Sequence, residues 1–84
     1  MARILVIDDE AAIRRILKEI LEHEQYQVDV AESAVEALPL VKENEFDAIL
    51  CDIKMPQMDG IEFLEKKKKI TDAPIIMISG HGTI

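Results

Sequence analysis

The sequence predicts an α/β protein built on one parallel β-sheet. Four short apolar runs of strand length recur along the chain, and segments with helical periodicity separate them. A strand–helix–strand order places successive strands parallel and joins them by right-handed crossovers. The 84 residues suffice for one domain, residues 1–84. The predicted order of elements is therefore βαβαβαβ.

The first strand and the first helix have the clearest patterns. Residues 3–7 are apolar on both faces, which is typical of a strand covered on two sides. From Ala11 the apolar residues recur three and four positions apart, which predicts a helix over residues 11–24. Glu10 near the start of this helix suits the positive end of the helix dipole.

The second strand and the second helix follow. Residues 26–31 alternate between apolar and polar, which predicts a strand at an edge of the sheet. Ser33 and Glu36 have the spacing of a capping box, so a helix is expected from Ala34 to Glu43. Pro39 lies inside it, and we expect a kink or an irregular turn there, not a break.

The rest of the chain adds two strands and one helix. Residues 46–51 form the predicted central strand, and residues 75–78 form the fourth strand. A third helix is expected from Ile61, and it continues into four consecutive lysines, residues 66–69. Such a charge run predicts a solvated face or a frayed helix end.

Acidic residues stand where two of the predicted strands end. Asp8 and Asp9 follow the first strand, and Asp52 follows the central strand. Parallel strands bring their carboxyl ends to the same end of the sheet. Two carboxylates about 4 Å apart there repel by roughly 4 kcal/mol at an effective dielectric constant of about 20. A hard cation such as Mg²⁺ removes that penalty. The alternative is that Asp52 only caps a turn.

The composition narrows the classes of function. The net charge of −7 argues against a nucleic-acid-binding surface. No apolar stretch approaches the roughly 20 residues of a membrane helix, and no basic and apolar leader precedes the first strand. The single Cys51 lies in an apolar run and is expected to be buried and inert. A cytoplasmic protein is the expectation.

These motifs together resemble the receiver domain of two-component response regulators. The acids Asp8 and Asp9, the later Asp52 and the run from Lys54 to Gly60 carry the resemblance. The opening residues 4–10 and the closing residues 79–84 are similar to the nitrogen-regulation type. The resemblance implies a doubly wound, flavodoxin-like sheet of order 2-1-3-4. It also implies a C-terminally truncated receiver that lacks the fifth strand and the last two helices.

The resemblance assigns roles to individual residues. It implies that Asp52 is the phosphoacceptor for a sensor histidine kinase. Asp9 would bind Mg²⁺ directly and Asp8 through water, with Asp52 and the backbone carbonyl of Lys54 as further ligands. Ser79 matches the hydroxyl that contacts the phosphoryl group. Receivers carry an apolar residue at the position of Lys67, so the last turn of the third helix departs from the family pattern.

Truncation would have two consequences. The lysine at the end of a receiver's fifth strand would be absent, so phosphorylation is expected to be impaired. Strand four would become an exposed apolar edge, so self-association through residues 75–78 is expected.

Two other classes of function remain open. The chain could be an aspartate-based phosphatase or phosphotransferase, although such enzymes commonly carry a second acid where Lys54 stands. It could also be a chemically inactive assembly module that keeps the fold. We expect a signalling receiver, which is not an enzyme.

Overall fold

The described part of the chain folds around a four-stranded parallel sheet. The computed structural model of the protein describes residues 1–52, 60–68 and 70–78. The elements are β1 Arg3–Ile7, α1 Ala11–His23, β2 Gln27–Ala31, α2 Ala34–Glu43, β3 Ala48–Asp52, α3 Gly60–Lys67 and β4 Ile75–Ile78. The sheet order is β2-β1-β3-β4, and each neighbouring pair is parallel. The predicted α/β class, the strand order and the edge position of β2 are confirmed.

Helices cover both faces of the sheet, because successive side chains of a strand point to opposite sides. On one face, Leu5 and Ile7 join a large cluster that includes Phe63 of α3 and buried residues of α2. On the other face, Ile4 and Val6 belong to a smaller cluster against which Leu17 and Leu21 of α1 pack. β1 is thus buried from both sides, and the acids that follow it start from a fixed strand end.

The first helix ends in a Schellman turn without a glycine. Gln25 adopts a φ of 71°, in the left-handed region. Its N–H donates to the carbonyl of Glu22 at 2.9 Å, and the N–H of Tyr26 donates to the carbonyl of Leu21 at 3.1 Å. These two bonds satisfy carbonyls that the helix end would otherwise leave open. The turn leads directly into β2.

The second helix has the predicted bounds, Ala34–Glu43, and runs through Pro39 without a break. Ser33 Oγ accepts a hydrogen bond from the N–H of Glu36 at 3.2 Å, as the capping box predicted. The return bond differs, because Glu36 Oε1 accepts from the N–H of Glu32 at 3.4 Å. The cap therefore ties the helix to the residue after β2.

The central strand lies one or two residues later than predicted, at Ala48–Asp52. Asp47 explains the difference. Its N–H donates to the carbonyl of Arg3 at 2.7 Å, but its carboxylate accepts the Arg3 N–H, also at 2.7 Å. A side chain thus takes a backbone donor at the start of the strand. At the other end of the strand, Asp52 pairs with Ile78 of β4, so Asp52 is the last residue of β3 and does not follow it.

The expectation of a solvated lysine run is wrong for Lys67. This side chain is buried, and its Nζ donates a hydrogen bond to the carbonyl of Ala73. The aliphatic stem can pack against apolar neighbours while the ammonium reaches a backbone oxygen. Lys66 and Lys68 are exposed, as expected of a charged face.

Across residues 1–52, 60–68 and 70–78, none of the helices combines the length and the apolar character that crossing a membrane requires.

Candidate functional site

The acids lie together at the carboxyl end of the sheet. In the β1–β3 register Ile7 pairs with Cys51, so the next residues, Asp8 and Asp52, are neighbours. Both are fully buried, with exposures of 0% and 1%. Asp9 and Glu10 follow in the β1–α1 loop and are exposed. The prediction that Asp8 and Asp52 lie together at the carboxyl end of the sheet is confirmed.

Asp8 is held by its backbone and by one carboxylate oxygen. Its N–H donates to the carbonyl of Ala31 at 3.1 Å, and its own carbonyl accepts from Arg14 Nη1 at 2.8 Å. Oδ1 accepts from the N–H of Glu10 at 2.8 Å. Oδ2 is buried and has no hydrogen-bond partner. A buried acceptor without a partner is costly, and a cation would relieve that cost.

Three carboxylates can converge on one ion. Oxygens of Asp8, Asp9 and Glu10 all lie within 4.8 Å of one another. An all-oxygen donor set suits a hard cation such as Mg²⁺ or Ca²⁺. Together with the orphaned Oδ2 of Asp8, this arrangement fits a divalent metal ion.

The trio differs from the predicted ligand set. Asp52 lies outside the group whose oxygens converge, and Glu10 belongs to it. From the sequence, Glu10 was expected only to interact with the positive end of the helix dipole. Its position as the third acid of an uninterrupted acidic run was the available signal.

The surroundings of Asp8 and Cys51 favour the neutral forms of these two side chains. Burial raises the pKa of the Asp8 carboxyl; the Glu10 N–H lowers it, and the negative charges of Asp52, Asp9 and Glu10 raise it further. Burial, with the charges of Asp52 and Asp8, raises the pKa of the Cys51 thiol to about 12. Cys51 is free and buried, so the prediction of a buried thiol is confirmed, and at neutral pH it is not a thiolate.

Two of the predicted site residues, Lys54 and Ser79, lie outside the described residues. Their proposed contacts with a cation and a phosphoryl group stay predictions. Arg14, which binds the carbonyl of Asp8, was not identified from the sequence. A basic residue on a helix carries no signal of such a contact until the β1–α1 loop is folded.

Comparison with known proteins identifies the family. The profile of the response regulator receiver domain matches residues 4–84. The transcriptional regulatory protein ResD of Bacillus subtilis is 45% identical over 80 residues, which cover 95% of this chain and 33% of ResD. The chain thus spans about a third of the length of the curated relatives it matches. This similarity does not show the nitrogen-regulation type.

Solved structures agree with this assignment. A chain in the complex of the histidine kinase ThkA with the response regulator TrrA superposes with a TM-score of 0.88 at 40% identity, over 100% of this chain and 75% of that chain. TrrA of Thermotoga maritima in complex with Mg²⁺-BeF gives a TM-score of 0.89 at 38% identity, over 98% and 72%. The fold, the acids at the carboxyl end of the sheet and the profile match all indicate the same family. The chain belongs to the response regulator receiver domain family, whose members act in two-component phosphorelay signalling.

Proposed function

We propose that Asp52 accepts a phosphoryl group from a sensor histidine kinase. The burial of its carboxylate at the end of β3, beside the convergent acids of the β1–α1 loop, carries the proposal. The similarity to a chain in a complex of a histidine kinase with a response regulator supports the nature of the partner. Asp52 is itself phosphorylated in each transfer and is not regenerated by it, so in this proposal the chain is a signalling protein and not an enzyme.

The proposed transfer uses a carboxylate as nucleophile. An Asp52 oxygen attacks phosphorus, the new P–O bond gives an acyl phosphate, and the bond from phosphorus to the histidine nitrogen breaks. Asp8, Asp9 and Glu10 would hold Mg²⁺, with Asp52 and the Lys54 carbonyl as further ligands implied by the resemblance. The bound ion would neutralise negative charge on the acids and on the phosphoryl oxygens. Ser79 would contact the phosphoryl group through its hydroxyl.

A small phosphodonor tests the acceptor directly. Incubation with acetyl phosphate and Mg²⁺ should add one phosphoryl group to the wild type, detected by intact mass. Asp52→Asn should remain unlabelled, because the amide is not a nucleophile of comparable strength. Asp72→Asn, which changes an exposed aspartate far from β3 in sequence, is the matched control and should label like the wild type. Equal labelling of Asp52→Asn and wild type would show that Asp52 is not the phosphoacceptor.

The proposal extends to the location of the protein, to nucleic-acid binding and to the receiver subtype. A cytoplasmic location goes with the proposed phosphorelay role. The net charge of −7 supports a segment that does not itself bind nucleic acid. Similarity to the nitrogen-regulation type rests on residues 4–10 and 79–84 alone.

Self-association is a second candidate function. β4 lies at the edge of the described sheet, and Ile76 within it is 52% exposed. An apolar edge strand favours pairing with another chain. An unlabelled but oligomeric protein would favour this assembly role over phosphotransfer.

A further inference from the structure

Arg14 connects the first turn of α1 to both ends of the acidic run. Its backbone N–H donates to the carbonyl of Glu10 at 3.1 Å, as the helix begins. Its side chain reaches back further, and Nη1 donates to the carbonyl of Asp8 at 2.8 Å. One residue thus holds the main chain on either side of Asp9.

The carbonyl of Asp8 is an effective point at which to fix this loop. The peptide bond is planar, so fixing the Asp8 carbonyl also fixes the amide of Asp9. The N–H of Asp8 is already bound to Ala31, and its Oδ1 is bound to the N–H of Glu10. The Arg14 bond occupies the carbonyl oxygen of Asp8. The carboxylate oxygen Oδ2 of Asp8 is then left without a partner.

The charge of Arg14 gives no simple reason for its position. A guanidinium beside a cation site repels the incoming ion, which weakens binding. An increase in cation affinity caused by Arg14 must come from the geometry that it imposes, and it must exceed the repulsion between the cation and the guanidinium. The two contributions therefore have opposite signs, and an experiment can separate them.

We propose that Arg14 is a positioning residue for the divalent-cation site, because it fixes the Asp8–Asp9 peptide through the Asp8 carbonyl. This inference rests on the proposed function, in which Asp8, Asp9 and Glu10 hold the ion. Partners that orient metal ligands typically change metal affinity by 10- to 100-fold when they are removed. Since Arg14 holds the backbone of the ligands, we expect the lower end of that range.

The test is a Mg²⁺ titration of metal-free protein by calorimetry, with three variants. Arg14→Met keeps an unbranched apolar stem but loses the donor and the charge, and it should weaken Mg²⁺ binding about tenfold. Arg14→Lys keeps a donor and the charge and should recover part of the loss. Arg15→Met is the matched control, because Arg15 is the next residue, is exposed and has the same charge. Its removal should strengthen binding by less than about twofold, because salt screens an exposed charge.

A second readout separates positioning from stability. The carbonyl ¹³C shift of Asp8 and the amide shift of Asp9, measured without metal, should move in Arg14→Met and not in Arg15→Met. Tighter Mg²⁺ binding by Arg14→Met would show that only its charge matters and would overturn the proposal. Unchanged affinity with a lower melting temperature would assign Arg14 a structural role and would also overturn it. If the wild type binds no Mg²⁺, the proposed cation site fails together with this inference.

Discussion

Asp8 is a fully buried carboxyl with one unpartnered oxygen and three acidic neighbours, and its pKa is raised. Between the unfolded pKa, about 3.9, and the raised folded pKa, the folded state binds more protons than the unfolded state. Stability contributed by this group is therefore lost as pH rises through that window. In the absence of divalent cations, Asp8→Asn should stabilise the fold at pH 7 by about 0.5–2 kcal/mol.

The pH profile distinguishes this effect from a change in packing. Urea unfolding of both proteins, with a chelator present, should show the gain shrinking as pH falls and vanishing below about pH 4, where Asp8 is protonated in both states. Asp72→Asn, at an exposed position, should change the free energy of unfolding little at any pH. A destabilised Asp8→Asn at pH 7, or a gain independent of pH, would contradict the electrostatic account.

At this scale the sequence located the acids better than their partners. Asp8, Asp9 and Asp52 could be placed because strand ends are visible as the ends of apolar runs. Arg14 and Lys67 could not, because each contact depends on how a loop brings a carbonyl to a long side chain. The resemblance alone gave roles to Lys54 and Ser79.

At the scale of elements, the end of α1 offers a test of local strain. Gln25 holds a left-handed conformation that costs a residue with a Cβ roughly 1–2 kcal/mol and costs glycine almost nothing. Glycine loses more conformational entropy on folding, which offsets part of the gain. Gln25→Gly should therefore raise the free energy of unfolding by about 0.5–1 kcal/mol.

Chemical denaturation measures this directly, and the midpoint should rise with an unchanged slope. Gln27→Gly is the control, because Gln27 is exposed but lies in β2, where glycine should destabilise. A destabilised Gln25→Gly would show that the Gln25 side chain makes a contact worth more than the strain.

Element bounds were predictable where local pattern decides them. β1, α2 and β4 have the bounds expected from the sequence, because apolar runs and a capping serine mark them. The start of β3 was not predictable, because a bond between the Asp47 carboxylate and the Arg3 N–H sets it. That contact joins residues 44 positions apart, and no local pattern contains it.

At the scale of the whole molecule, the apolar edge strand predicts association. Ile76 on β4 is 52% exposed, so Ile76→Lys should shift the protein toward monomer without emptying the core. Met77 packs against the core cluster and is a poorer choice. Val35→Lys is the matched control, because Val35 is 48% exposed but lies on α2. Sedimentation at high protein concentration measures the difference, and a monomeric wild type would contradict the prediction.

The α/β class, the strand order and the meeting of the acids were all predictable from the order of the chain, because parallel crossovers leave few arrangements. The oxygens that converge were not, because the fold of the β1–α1 loop brings in Glu10 and leaves Asp52 outside the trio. The proposed mechanism needs both the trio and Asp52.

The initial rate of Asp52 phosphorylation as a function of Mg²⁺ concentration tests most directly whether the cation site and Asp52 act together. Acetyl phosphate labels the wild type and Asp9→Ala, and peptide mapping confirms the labelled residue. For the wild type we predict a rate that rises with Mg²⁺, saturates, and falls to background in a chelator. Asp9→Ala should need at least about tenfold more Mg²⁺ to reach half of its maximal rate. A rate independent of Mg²⁺, or the same Mg²⁺ dependence in both proteins, would contradict a cation site that serves Asp52.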